Sequence, residues 1–256
     1  MESKAVLRTT PLAAIIVIAA CGGSSPTSPS QSLTATIETE HFSYHYSPGD
    51  AALDEARQEA HYNWAVARLG VSLPQKIVYN KYTSRMHMGE LTGTVGTNAF
   101  AEPEIFTIHS MFPFDNHETV HVFSALVGRP SDFFNEGLAV AFQTNPRDND
   151  LESRFNGQQV HEATADYRRL NLVPPLDQIV ETNGFRRISD STMSYRIAGS
   201  FARFLIDRFG IDRVKEFFRI SGSRDNGTQI RQRFQEAFAQ TLEAAEAEWL
   251  ASLPPR

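Results

Sequence analysis

The chain has 256 residues, 41% of them hydrophobic, a formal net charge of -6 and one cysteine. That length allows one substantial core, and the acidic balance argues against nucleic acid as a partner. A single cysteine excludes an intramolecular disulfide and a cysteine-built metal site.

Lys4 and Arg8 precede an apolar run, residues 12–20, that is too short to span a bilayer as a helix and ends in Ile18-Ala19-Ala20-Cys21. This leader resembles that of bacterial lipoproteins. The resemblance implies a signal peptide over residues 1–20, acylation of Cys21 and attachment to a membrane of the cell envelope through the lipid. Residue 22 is Gly rather than Asp, which in a Gram-negative host implies the outer membrane, facing the periplasm. Residues 22–32 are rich in Gly, Ser and Pro and read as a flexible tether. Loss of residues 1–20 removes one acid, Glu2, and two bases, moving the net charge from -6 to -7. Residues 33–256 contain no internal repeat and no second linker, so one domain is expected there.

Residues 33–46 alternate as a strand, with Phe42, Tyr44 and Tyr46 on one face and His41, Ser43 and His45 on a solvent face. Ser47-Pro48-Gly49-Asp50 turns the chain into an amphipathic helix over 51–69. Its inner stripe is predicted as Ala52, Leu53, Ala56, Ala60, Trp64 and Leu69, and Gly70 stops it. Strands are expected at 76–82 and 104–109. The Gly- and Thr-rich segment 83–102, with Met86, His87 and Met88, reads as an irregular connection. His109 is assigned to ordinary strand packing, with the cleft as the alternative.

His117-Glu118-Thr119-Val120-His121 then places two imidazoles at i and i+4, on one face of a helix, where both can reach one metal ion. Gly128 weakens that helix and Pro130 stops it. A second helix follows, capped by Ser131 or Asp132, with Glu136 able to face back as a third ligand. Glu118 stays off the metal as the general-base candidate. Asp115 and Glu118 also have the spacing of a capping box, in which Glu118 would only close the helix start.

His117–His121 followed by Phe133-Phe134-Asn135-Glu136-Gly137-Leu138-Ala139 resembles the gluzincin metallopeptidases, closest to the bacterial peptidase MA-like group. The resemblance implies Zn2+ held by His117, His121 and Glu136, with Glu118 as base and a peptide or protein as substrate. It further implies that the strand before the metal helix lies at the cleft edge, where an extended peptide can pair with it. Two departures stand out: only 14 residues separate His121 from Glu136, and Val140 occupies the position where thermolysin-like chains carry an Asp.

Helices are predicted at 158–169, 175–182, 193–209, 211–220, 228–238 and 241–252. The helix beginning near Tyr195 resembles the one that follows the zinc motif in peptidase MA-like chains, and gluzincins commonly place a Tyr or His donor opposite the metal. That implies Tyr195 as an oxyanion donor, against the plainer role of filling a core edge. Arg168-Arg169 and Arg186-Arg187 read as solvated faces.

The expected class is therefore α+β: a small N-terminal sheet with an edge strand at the cleft, then a mainly helical zincin-like domain. The expected function is a lipid-anchored zinc peptidase, an endopeptidase before an aminopeptidase. The rivals are a catalytically idle zinc-binding or envelope-assembly lipoprotein and a zinc hydrolase acting on a non-peptide bond.

Overall fold

The computed structural model describes residues 32–50 and 52–255. The leader, Cys21 and the tether through residue 31 lie outside them. No described helix is long and apolar enough to cross a membrane.

The first half alternates strands with helices: β1 (Ala35–Glu38), β2 (Phe42–Tyr46), α1 (Glu55–Leu69), β3 (Ile77–Lys81), α2 (Arg85–Thr92), β4 (Ala99–Glu102) and β5 (Thr107–Ser110). The strands form one sheet in the order β1-β2-β3-β5-β4, parallel across β2-β3-β5 and antiparallel at both ends. Next come the helices α3 (Asn116–Ser124) and α4 (Asp132–Ala141), then a short hairpin of β6 (Arg154–Phe155) and β7 (Gln158–Gln159). The rest is helical: α5 (Val160–Arg169), α6 (Leu176–Ile179), α7 (Thr182–Arg186), α8 (Ser191–Phe209), α9 (Ile211–Ile220), α10 (Gly227–Phe238) and α11 (Leu242–Ser252). The architecture is α+β, a small N-terminal sheet followed by helices.

Period-2 alternation puts Phe42, Tyr44, Ile77, Tyr79 and Ile108 on one face of the sheet, all fully buried against α1 and α3 through Tyr62, Leu69 and Phe123. Residues 33–46 form a hairpin rather than one strand, because Glu59 of α1 captures the bend: it accepts from the Thr39 hydroxyl at 2.5 Å and the His41 N–H at 2.9 Å. The His41 ring also stacks on Tyr62 at 3.9 Å between centroids, so it is packed and not solvent-facing.

The buried stripe of α1 is Gln58, His61, Tyr62, Ala65 and Leu69; Ala52 and Ala56 are exposed. The predicted stripe is rotated because two polar residues point inward to specific partners. Gln58 accepts from the Asp115 N–H at 2.9 Å and donates to the Thr119 hydroxyl at 2.7 Å. His61 Nε2 donates to the Phe142 carbonyl at 2.9 Å.

Three further expectations change. The strand predicted at 104–109 begins at Thr107 and is interior to the sheet. The edge belongs to β4, inside the segment read as irregular. In that same segment Ser84 caps α2, which buries His87 and Met88. The helix carrying His117 ends at Ser124, ahead of Gly128, and Gly128 serves close packing instead: a Cβ there would lie 2.1 Å from the Phe218 carbonyl oxygen of α9.

The seam between α4 and α8 fixes the second half. A Cβ on Gly137 would sit 2.7 Å from the Ala198 carbonyl oxygen, and one on Gly199 would sit 2.2 Å from Val140 Cγ1. Gly137→Ala should therefore destabilise the fold by about 2 kcal/mol in urea unfolding, overpacking outweighing the roughly 1 kcal/mol gained in helix propensity.

His61 gives the fold a defined acid sensitivity. Burial lowers its pKa from 6.5 to about 4, and its Nδ1 has no hydrogen-bond partner that could accept a second proton's bond. Above pH 6.5 the ring is neutral folded or unfolded and the contribution is constant. Below 6.5 the unfolded chain takes up a proton that the fold refuses, so stability falls until about pH 4. The stability gap between wild type and His61→Gln should narrow by about 2 kcal/mol between pH 7 and pH 5 in urea titrations.

Candidate metal centre

Asp115 starts α3: its Oδ1 accepts from the Glu118 N–H at 3.1 Å and its Oδ2 from the Ser110 hydroxyl at 2.7 Å. The capping box is only half made, because the Asp115 N–H goes to Gln58 and leaves the Glu118 carboxylate uncommitted to the cap. The cap, Gln58 and Thr119 together fix the first turn of α3, which aims His117 and His121 at α4.

His117 Nε2 lies 3.0 Å from Glu136 Oε2, His121 Nε2 lies 3.2 Å from the same oxygen, and the two nitrogens are 3.2 Å apart. Their side chains are 12%, 11% and 10% exposed in the order His117, His121, Glu136. This group can hold a metal ion, and it is the one cluster of its kind among the described residues. Burial pushes the Glu136 carboxyl up, but the two imidazoles more than offset it and hold it well below the usual range. Burial likewise opposes charge on His117, and the hydrogen bond to Glu136 raises its pKa nonetheless.

The far nitrogen of each ring meets a carboxamide. His117 Nδ1 lies 3.3 Å from Gln143 Oε1, and His121 Nδ1 lies 3.2 Å from Asn135 Nδ2. An imidazole that offers its Nε2 lone pair carries its proton on Nδ1, so Gln143 accepts as it stands and Asn135 does so with its amide turned over. Val140, at the position where thermolysin-like chains carry an Asp, is fully buried in the seam against Gly199, an environment that disfavours a charged side chain.

Glu118 is 9% exposed and beside the ligands, with the backbone of Ala101 on β4 as a hydrogen-bond partner. Burial first, and the negative charge of Asp115 second, raise its pKa to about 8. A cation at the ligands opposes both effects.

Tyr195 stands one turn before Gly199 on α8, so the close seam delivers it to the same place. Its ring lies 5.8 Å from that of His117 and stacks on Phe155 at 5.0 Å. Its hydroxyl meets Arg186, and burial raises its pKa above the ordinary value. Arg186, read from sequence as part of a solvated face, lines the cleft: it pairs with Asp132 at 2.6 Å and with Glu136 Oε1 at 3.3 Å. His109 does not line the cleft. It stacks on Phe100 at 4.5 Å and bonds Tyr82 at 2.7 Å and Glu102 at 3.1 Å.

The cleft measures about 1080 Å³ and runs between Thr97–Ala101 at the sheet edge and Asn156, Thr192 and Tyr195 opposite. His117, Glu118, His121 and Glu136 are among its lining residues.

No protein-family model matches the chain. No curated protein matches it either.

Gln143→Ala and Asn135→Ala each leave a ligand ring without its outer partner. Each should weaken metal binding by about 10- to 100-fold in competition with a chelating dye, with the metal-free melting temperature little changed.

Proposed function

We propose that this chain is a zinc-dependent peptidase that hydrolyses peptide bonds, with Glu118 as general base. The observation that carries the reading is the convergence of His117, His121 and Glu136 with the Glu118 carboxylate beside them. Zinc fits the donor set: four-coordinate zinc with bonds of about 2.0–2.1 Å places its ligands about 3.3 Å apart, close to the 3.0–3.2 Å separations here. Bound there, zinc supplies an acidified water and a Lewis acid for the substrate carbonyl.

The chain's own groups do the rest. Glu118, whose ionised form a cation at the ligands favours, takes a proton from the attacking water and returns it to the leaving amine. Tyr195 donates its phenolic hydrogen to the oxygen on which negative charge develops. β4 is the edge strand of the sheet and lines the cleft, and an extended peptide adds to it as a further strand by displacing the Thr97 hydroxyl, which now engages both the N–H and the carbonyl of Ala99. A cleft open along a strand edge suits an internal segment of a chain, which favours endopeptidase action. The Ile18-Ala19-Ala20-Cys21 leader supports placing the enzyme at a bacterial envelope membrane through a lipid on Cys21.

Purified protein should carry close to one zinc per chain and cleave members of a peptide library. Glu118→Gln should keep the zinc and lose at least about a hundredfold in kcat. Tyr195→Phe should lose about a hundredfold with zinc and melting temperature preserved. Zinc-loaded wild type that cleaves no peptide would point to the idle lipoprotein instead.

A further inference from the structure

Arg186 is the last residue of α7, and the chain around it is built to deliver it. A Cβ on Gly184 would lie 2.2 Å from the Gln178 carbonyl oxygen, so glycine lets α7 fold tightly onto α6. Phe185, buried to 2%, anchors the end of α7 between the rings of Phe133 and Tyr195. The next side chain then crosses to α4, where Asp132 and Glu136 share a face at i and i+4. Its Nε donates to Asp132 Oδ2 at 2.6 Å and its Nη2 to Glu136 Oε1 at 3.3 Å.

The two oxygens of Glu136 thus have separate tasks. Oε2 faces both imidazole nitrogens and Oε1 faces a cationic donor. We propose that Arg186 is a positioning residue for the metal centre: held by Asp132, its guanidinium occupies Oε1 so that Glu136 ligates through Oε2 alone and a coordination position stays open. This rests on the metal-centre reading above. Only a planar fork of donors can bind both carboxylates while also meeting the Tyr195 hydroxyl. A carboxylate released from such a donor can swing both oxygens onto a divalent ion and fill the position a substrate needs.

The test replaces zinc with cobalt in the full-length chain and reads coordination number from the visible absorption, which is strong for four ligands and weak for five. In Arg186→Gln the absorption should fall by about half or more. Arg186→Lys, which keeps the charge but not the fork, should behave like Arg186→Gln, and Asp132→Asn should shift the same way to a smaller extent. The metal-free variants should melt with the wild type, since the Arg186 side chain is 53% exposed. An Arg186→Gln spectrum identical to wild type overturns the inference and leaves the proposed function standing. An Arg186→Lys spectrum like wild type also overturns it, assigning the effect to charge alone. Wild-type protein that takes up neither cobalt nor zinc overturns both.

Discussion

Two imidazole nitrogens and a carboxylate oxygen, each about 3 Å from the others and largely buried, are an unfavourable arrangement unless a positive charge, a proton or a metal ion, stands among them. Much of the structure serves to impose it. His117 and His121 get there by helical spacing on a first turn held by Asp115, Gln58 and Thr119, but Glu136 gets there because α4 is clamped. Gly137 lets the α8 backbone approach to contact, and Gly199 lets Val140 fill the matching space. Either glycine replaced by a larger residue would move α4, and with it the only anionic ligand.

The same clamp explains the outer partners. Val140 fills the apolar seam, so no carboxylate stands one turn beyond Glu136, and the rings rest on the neutral amides of Asn135 and Gln143. The carboxylate ligand meets a cation. A centre supported in this way receives less electron density than one backed by carboxylates, which leaves a bound metal more acidic toward water and less tightly held. Glu118 and Asp115 lie nearby, both buried and both with raised pKa values in which burial is the largest cause, so a cation at the site is what would favour their ionised forms.

What could be read from the sequence divides by the range of the interaction. The His117–His121 spacing, the third acid at Glu136 and helices such as 211–220 rest on local periodicity, and the structure places them as expected, whereas Ser131 holds the N-cap position of α4 without capping it, its hydroxyl donating to the Val180 carbonyl instead. The predicted inner stripe of α1 fails because periodicity cannot tell that Gln58 and His61 have buried partners at Asp115 and Phe142. The cleft edge falls on β4 because a four-residue strand with Gly and Thr before it lacks an alternation long enough to register. A faint signal did exist for Arg186. Gly184-Phe185-Arg186 sets a small residue, an apolar anchor and a cation in succession, but only the fold shows that Asp132 and Glu136 are opposite.

That last contact has a consequence for the organisation of the chain. The two histidine ligands and Glu136 lie within 20 residues of each other, yet the groups that hold Glu136 in place come from residues 184–199, across the β6-β7 hairpin and α5. A protein carrying only the short motif and its two helices would have the ligands without the clamp or the guanidinium. The motif therefore marks where a metal can bind, while the helical second half supplies the groups that hold Glu136. Tyr195 and Arg186 belong to that half and meet each other at the cleft, so a displacement of α7 or α8 would move the support of Glu136 and the opposite wall of the cleft together.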